Sequence, residues 1–408
     1  MTTVHNLAQI ADSWRALDPD NVTSETILAE LDPLNVDYIL GASKLDSRYF
    51  AILWKDSDAD LQLGVYDRTG ESFDYVEVSN NASGRDARIE RVSSTEMLIY
   101  YRDATAADWR LALYSHVGGT VALTPDDTLD VGAVVAAGDA LSDMCVLTSS
   151  LAMISYPSSS GPANVTFETV SISSGALAVV ASSAAVSADV TSASNVAVSV
   201  SLARVSDSQA VIYWARTTGG ASRRASIASA GTPITFGAEA GLDSNSGALY
   251  ANIFPAVSDD GTFAIYPVQQ DTPLASTDGS VVGAAISGST ISANSQSPSV
   301  TSPNLPNSDA SSSTGAMAAT CCYLAKEGDF HVGAVMGNYK DPLKNAIWGL
   351  IVAFKNNSTM SLGGSFHLPS TAVNGIPFIF RQDSNTLTAV YKDSSSNPAF
   401  IDVTRSPL

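Results

Sequence analysis

The chain has 408 residues, with 21 basic against 41 acidic side chains and a formal net charge of −20. That excess disfavours a broad nucleic-acid-binding surface, because phosphates would meet a field of their own sign. Hydrophobic residues make up 45% and charged residues 15%, a globular composition, and the longest apolar stretches, such as 131–137, are too short to span a bilayer.

The first residues, 1–14, show no basic stretch leading into an apolar one, so the expectation is synthesis in a cytoplasm without classical export. Within 1–20, Leu7, Ile10, Ala11, Trp14 and Leu17 recur at helical spacing and form one apolar stripe. This segment is expected to order by docking on a partner, with Trp14 as the anchor. Next, 23–31 reads as a spare strand; its Glu, Leu and Ala also suit a helix.

From there a unit repeats: a β-rich run ending in an aromatic, a variable loop, another strand, then a tight turn of small residues. The marks are Trp54, Tyr101, Tyr156, Trp214, Tyr266, Tyr339 and Tyr391, and the first five lie 47, 55, 58 and 52 residues apart. The second copy is the clearest. Ala87-Arg88-Ile89-Glu90-Arg91-Val92 gives an inner strand, followed by strands at 96–101, 109–114 and 120–124, with Gly118-Gly119 supplying a hairpin turn. A period of this length with about four strands per unit is the pattern of a β-propeller. The fold expected is therefore all-β and seven-bladed, with blades at 33–80, 84–130, 131–186, 194–243, 247–299, 312–368 and 371–408. The last copy is one strand short, so residues 21–32 are expected to close the ring by pairing with 399–404, which also covers an open sheet edge. The Ser-, Asn- and Pro-rich stretch 295–315 reads as a long connection between the fifth and sixth blades.

Three cysteines, Cys145, Cys321 and Cys322, lack metal-site spacing and read as buried thiols, with a vicinal Cys321–Cys322 disulfide as the alternative. Asp56, Asp58 and Asp60 share the opening spacing of a calcium loop, but Leu61 and Asp67 stand where its Gly and Glu belong. A solvated acidic loop is the favoured reading, and calcium is the one ion left as an alternative; no other cofactor is expected. Ser258-Asp259-Asp260-Gly261-Thr262-Phe263 reads as a plain Asp-Gly turn. No histidine pair, nucleophile elbow or phosphate loop appears, so the chain is expected not to be an enzyme.

The loops after the aromatic strands (55–60, 102–108, 157–164, 215–224, 267–280, 337–345 and 392–398) differ most between copies and should share one face. Binding usually lives on such loops. Trp109, Arg216, Arg223, Arg224, Tyr339, Lys340 and Lys344 are the candidate receptor-binding side chains, and Leu7, Ile10, Trp14 and Leu17 the candidate docking side chains.

Residues 227–237 (IASAGTPITFG) and 285–292 (AISGSTIS), with 202–214 (LARVSDSQAVIYW) before them, resemble a repeat of propellers from tailed viruses of bacteria and archaea. The likeness is best over 195–243. It implies a virion protein at a tail or fibre, present in multiple copies, attached to other virion proteins through its N-terminal segment and presenting a face to a host-surface glycan or protein. Two alternatives stay open: a capsid-surface decoration or tail-structural protein that contacts only virion neighbours, and a carbohydrate-active propeller enzyme.

Overall fold

The computed structural model describes residues 26–28, 34–80, 87–103, 108–133, 142–157, 165–173, 175–183, 200–216, 222–242, 253–269, 279–293, 319–341, 346–355, 359–367 and 377–404. They form strands and turns arranged as seven sheets around one axis, antiparallel except where a short strand, Ile253–Phe254, joins the sixth. Strand β1 (Thr26–Ile27) comes first among the described residues and belongs to the last sheet. The first blade is β2 (Val36–Lys44), β3 (Tyr49–Asp56), β4 (Leu61–Asp67) and β5 (Ser72–Ser79). The second is β6 (Arg88–Arg91), β7 (Glu96–Asp103), β8 (Asp108–Val117), the short β9 (Thr120–Val121) and β10 (Asp127–Ala133). The third is β11 (Asp143–Thr148), β12 (Leu151–Pro157), β13 (Val165–Ser173) and β14 (Ala176–Ser182). In the fourth, β15 (Val200–Ser206), β16 (Gln209–Arg216) and β17 (Ser222–Ser229) are flanked by β18 (Thr235–Phe236) and β19 (Ala240–Gly241).

A short β20 (Ile253–Phe254) then runs parallel to the inner strand of the sixth blade, before the fifth blade of β21 (Ala256–Val257), β22 (Phe263–Gln269), β23 (Gly279–Ser287) and β24 (Thr290–Ala293). The sixth is β25 (Ala319–Glu327), β26 (Phe330–Asp341), β27 (Ala346–Lys355) and β28 (Thr359–His367). The seventh holds β29 (Phe378–Arg381), β30 (Thr386–Lys392) and β31 (Pro398–Thr404), and β1 pairs with β31 through Thr26 opposite Phe400 and Ile27 opposite Ala399. The chain is thus a seven-bladed β-propeller closed by an N-terminal strand, and 23–31 contributes that strand rather than a helix.

Burial explains the residue pattern. In the first blade the two middle strands are buried almost throughout, because both their faces meet neighbouring blades, whereas β5 alternates towards solvent. Strands covered on both sides read as near-continuous apolar runs. Among the described residues the buried side chains fall into seven apolar clusters, one for each gap between consecutive blades, including the gap between the last and the first. No blade buries its faces alone; the stack does.

The second blade departs from expectation at its outer edge. The stretch 120–124 contributes only β9, which pairs with the end of β8, and the true outer strand is β10 at Asp127–Ala133. Leu123 is 84% exposed there, so its apolar character marks a hairpin tip rather than a sheet face. The turn itself uses Gly118 and Gly119, both at positive φ (62° and 94°), as the paired glycines require.

Candidate functional site

In every blade the first and second strands are joined at one end of the molecule by two to five residues, and the second and third at the other end by four to nine. The molecule therefore has a turn end and a loop end, joined by a central channel. That channel is a cavity of about 450 Å³ lined by inner strands of all seven blades.

Its walls carry a polar cluster near the loop end. Arg88 of β6 donates from Nε to Oδ1 of Asp143 in β11 at 2.9 Å, and Leu202 N of β15 donates to Oδ2 at 2.7 Å. Asp143 N in turn donates to Ser155 Oγ at 3.0 Å. One carboxylate thus ties the inner strands of three successive blades. Burial raises the Asp143 pKa, against the opposing pull of Arg88 and the Leu202 and Met144 amides. The Arg88 guanidinium also donates to Ala87 O at 2.9 Å and lies 4.4 Å from the ring centroid of Phe254, contributed by β20. Such a desolvated cation–ring contact adds to the ion pair in holding the group still.

Two residues after Arg88, Glu90 also lines the channel. Burial pushes its pKa up to about 8, the Asp143 charge adds to the rise, and Arg88 opposes it. Glu90 therefore carries a proton over most of the neutral range and can donate. Cys145, another lining residue, has its thiol pushed well up by burial and by both carboxylates, so it is not a thiolate nucleophile. All three cysteines are free thiols, which removes the vicinal disulfide.

At the turn end the inner strands finish in cations. Arg204 Nε donates to Leu147 O at 2.6 Å and Arg381 Nη1 to Leu324 O at 2.9 Å, in each case a carbonyl of the preceding blade. Lys44 Nζ makes the same kind of bond to Gln382 O.

The candidates named from sequence are placed quite differently. Trp109 does not stand on a loop: it lies in β8, 1% exposed, with its ring centroid 5.1 Å from that of Tyr100. An indole packed on Tyr100 within an apolar cluster is core between blades, so Trp109 is not a receptor contact. Arg224 is half-buried in β17 and pairs with Glu239 at 3.3 Å, so its charge is engaged within its own blade. Arg216 and Arg223 sit at facing ends of β16 and β17, next to the loop joining them, and Tyr339 and Lys340 lie in β26. Lys344, the docking residues Leu7, Ile10, Trp14 and Leu17, and the connection 295–315 lie outside the described residues.

The acidic hairpin is internally satisfied. Asp56 Oδ1 accepts from the amides of Asp58 and Asp60, and Oδ2 from Gln62 Nε2 at 3.1 Å. The Asp60 pKa is raised by burial and by Asp56 and Asp58. Among the described residues no group of three His, Cys, Asp or Glu side chains is placed to hold a metal ion.

The sequence signal for the channel cluster is the inner strand 87–92 itself, whose three charges are out of place in a strand that must face six others. Asp143 stood outside any recognised motif.

No family model and no curated protein matches the sequence. Solved structures match it in fold. The polysaccharide lyase Uly1 superposes with a TM-score of 0.52 at 9% identity, covering 97% of this chain and 98% of that one. The BP39L lectin of Burkholderia pseudomallei gives 0.53 at 9% identity, covering 92% and 99%. The β-propeller domain of the Trilobed protease from Pyrococcus furiosus, described as having an open velcro topology, gives 0.45 at 8% identity. These likenesses concern the fold. They also overturn the expectation that the chain is not an enzyme: an architecture that matches a polysaccharide lyase over nearly the whole of both chains gives no ground for excluding catalysis.

Proposed function

We propose that the protein is a carbohydrate-recognising propeller that takes part of its ligand into the central channel. The observation that carries the reading is Glu90, a carboxyl with a pKa of about 8 in a channel lined by all seven blades. Perturbed acids in concave sites mark functional positions. A neutral carboxyl beside the fixed Arg88–Asp143 pair offers donors and acceptors to a polyhydroxylated ligand, and a proton to a leaving oxygen. The structures of similar fold include a lectin and a polysaccharide lyase, which supports carbohydrate as the ligand class.

The setting we propose is a virion, on the resemblance of 202–214 and 227–237 to viral propeller repeats, with attachment to the particle through Trp14 and its apolar neighbours. Trp14→Ala is expected to lose incorporation into particles while the propeller still folds. Normal incorporation of that variant removes the docking role.

The test of the channel reading is adsorption of the full chain to immobilised glycans, with a parallel assay for released or unsaturated product. Saturable binding that Glu90→Ala weakens by about tenfold supports recognition. Turnover that Glu90→Gln abolishes, with binding kept, adds a proton-transfer role. Neither adsorption nor product, across neutral and acidic glycans, overturns the reading.

A further inference from the structure

We propose that the turn end of the channel is an oxyanion site, which takes the carboxylate or sulfate group of an acidic ligand. This rests on the channel reading above and assigns the ligand a charge.

The chain carries a net −20, yet one position of the inner strand is repeatedly cationic. Lys44 pairs with Phe50, Arg91 with Met97, Arg204 with Ala210 and Arg381 with Leu387. Each cation precedes its partner by six residues across the same tight turn, so four blades present a positive charge at one level of the ring. Arg204 and Arg381 have acidic partners, Asp207 at 2.7 Å and Asp259 at 2.9 Å. Lys44 and Arg91 have no ion-pair partner among the described residues; the Lys44 ammonium meets a backbone carbonyl, which satisfies a donor without neutralising a charge. Burial lowers the Lys44 pKa, and Arg381, Arg91 and Arg68 lower it further, with Asp383 opposing. Arg381 and Arg68 are themselves paired with Asp259 and Asp402, yet the net effect of the three on the half-buried Lys44 ammonium is a like-charge arrangement that costs free energy when empty. A bound oxyanion offsets that cost with charge-assisted hydrogen bonds.

A purely structural role accounts for part of the pattern, since Lys44, Arg204 and Arg381 fasten neighbouring blades. It does not account for Arg91, which is exposed and lies beside the channel lining rather than in it, near enough for its charge to act on Lys44.

The experiment is calorimetric titration of the full chain with inorganic sulfate, D-glucuronate and glucose at constant ionic strength. One saturable oxyanion per chain is expected. Its affinity should fall about tenfold in Lys44→Gln and severalfold in Arg91→Gln, and persist in Lys44→Arg. Because Arg91 is exposed, Arg91→Gln decides the matter if Lys44→Gln fails to fold. Absence of saturable heat beyond chloride, or heat unchanged in both folded variants, overturns the site. Glucuronate bound more tightly than sulfate identifies an acidic sugar as the source; equal affinity identifies a free oxyanion. Neutral glycan binding without oxyanion binding removes this proposal and leaves the channel reading intact, and the converse result does the reverse.

Discussion

Glu90 sits in a surrounding that disfavours its charge, and that has a consequence for stability. Its pKa in the fold, about 8, lies above the ordinary carboxyl value of 4.5. Above pH 4.5 the unfolded chain releases this proton while the folded chain keeps it, so stability falls as pH rises through that window and levels off above pH 8. Glu90→Gln should therefore be more stable than the parent at pH 8.5 by a few kcal/mol at most, with little difference at pH 4. Urea melts at both values check this, and parallel pH slopes would mean that the carboxyl is fully solvated. Asp143 is also raised by burial, but it differs from Glu90 in having a fixed cationic partner. Asp143→Asn strands the Arg88 guanidinium, and a loss of about 3–5 kcal/mol is expected. Adding Arg88→Met should recover part of it, which separates a stranded charge from a packing defect.

At the scale of the strand, the sequence and the structure agree where burial is two-sided and part where it is not. The aromatic marks Trp54, Tyr101, Tyr156, Trp214, Tyr266 and Tyr391 are all buried at the ends of second strands, so their spacing reported the blade repeat faithfully. Outer strands carry a weaker signal: β9 and β10 were confused because an exposed hairpin tip and an exposed edge strand impose similar demands on side chains. The channel cluster is legible only in part, as misplaced charges in 87–92. Arg88 and Glu90 share one inner strand but meet Asp143 only when two separate blades are brought together, and no local pattern encodes that meeting. The closing strand was legible from an arithmetic deficit in the last copy. Leu28, which follows β1, is 3% exposed and belongs to the cluster between the last and first blades. Deleting residues 1–32 should lower the melting temperature by several degrees and broaden the transition. An unchanged, equally sharp melt would show that β1 contributes no closure.

Across the whole molecule, the spacing between blades is set by what fits in each gap. Gly283 lies where a Cβ would stand 2.6 Å from Phe263 Cζ and from Phe354 Cδ1, at the contact of the fifth and sixth blades. Gly283→Ala should cost about 1–3 kcal/mol, because two large rings must shift or the blades must part. Adding Phe354→Leu, which relieves the crowding, should restore some of the loss; if it does not, the cost lies in the strand backbone. The same spacing gives the channel its width, so a strained gap is also expected to weaken ligand uptake.

The pairing of Thr26 and Ile27 with Phe400 and Ala399 also fixes an order of events. During synthesis the first strand emerges hundreds of residues before its partner, and it has no other edge of its own sheet to join. Six gaps can form as their blades appear, but the seventh waits for β31. The last step of folding is then a closure between the most distant parts of the sequence, which is intrinsically slow. Until it happens, the edge of β31 is open to a strand from any other chain, so newly made molecules at high local concentration are exposed to exchanging their first strands.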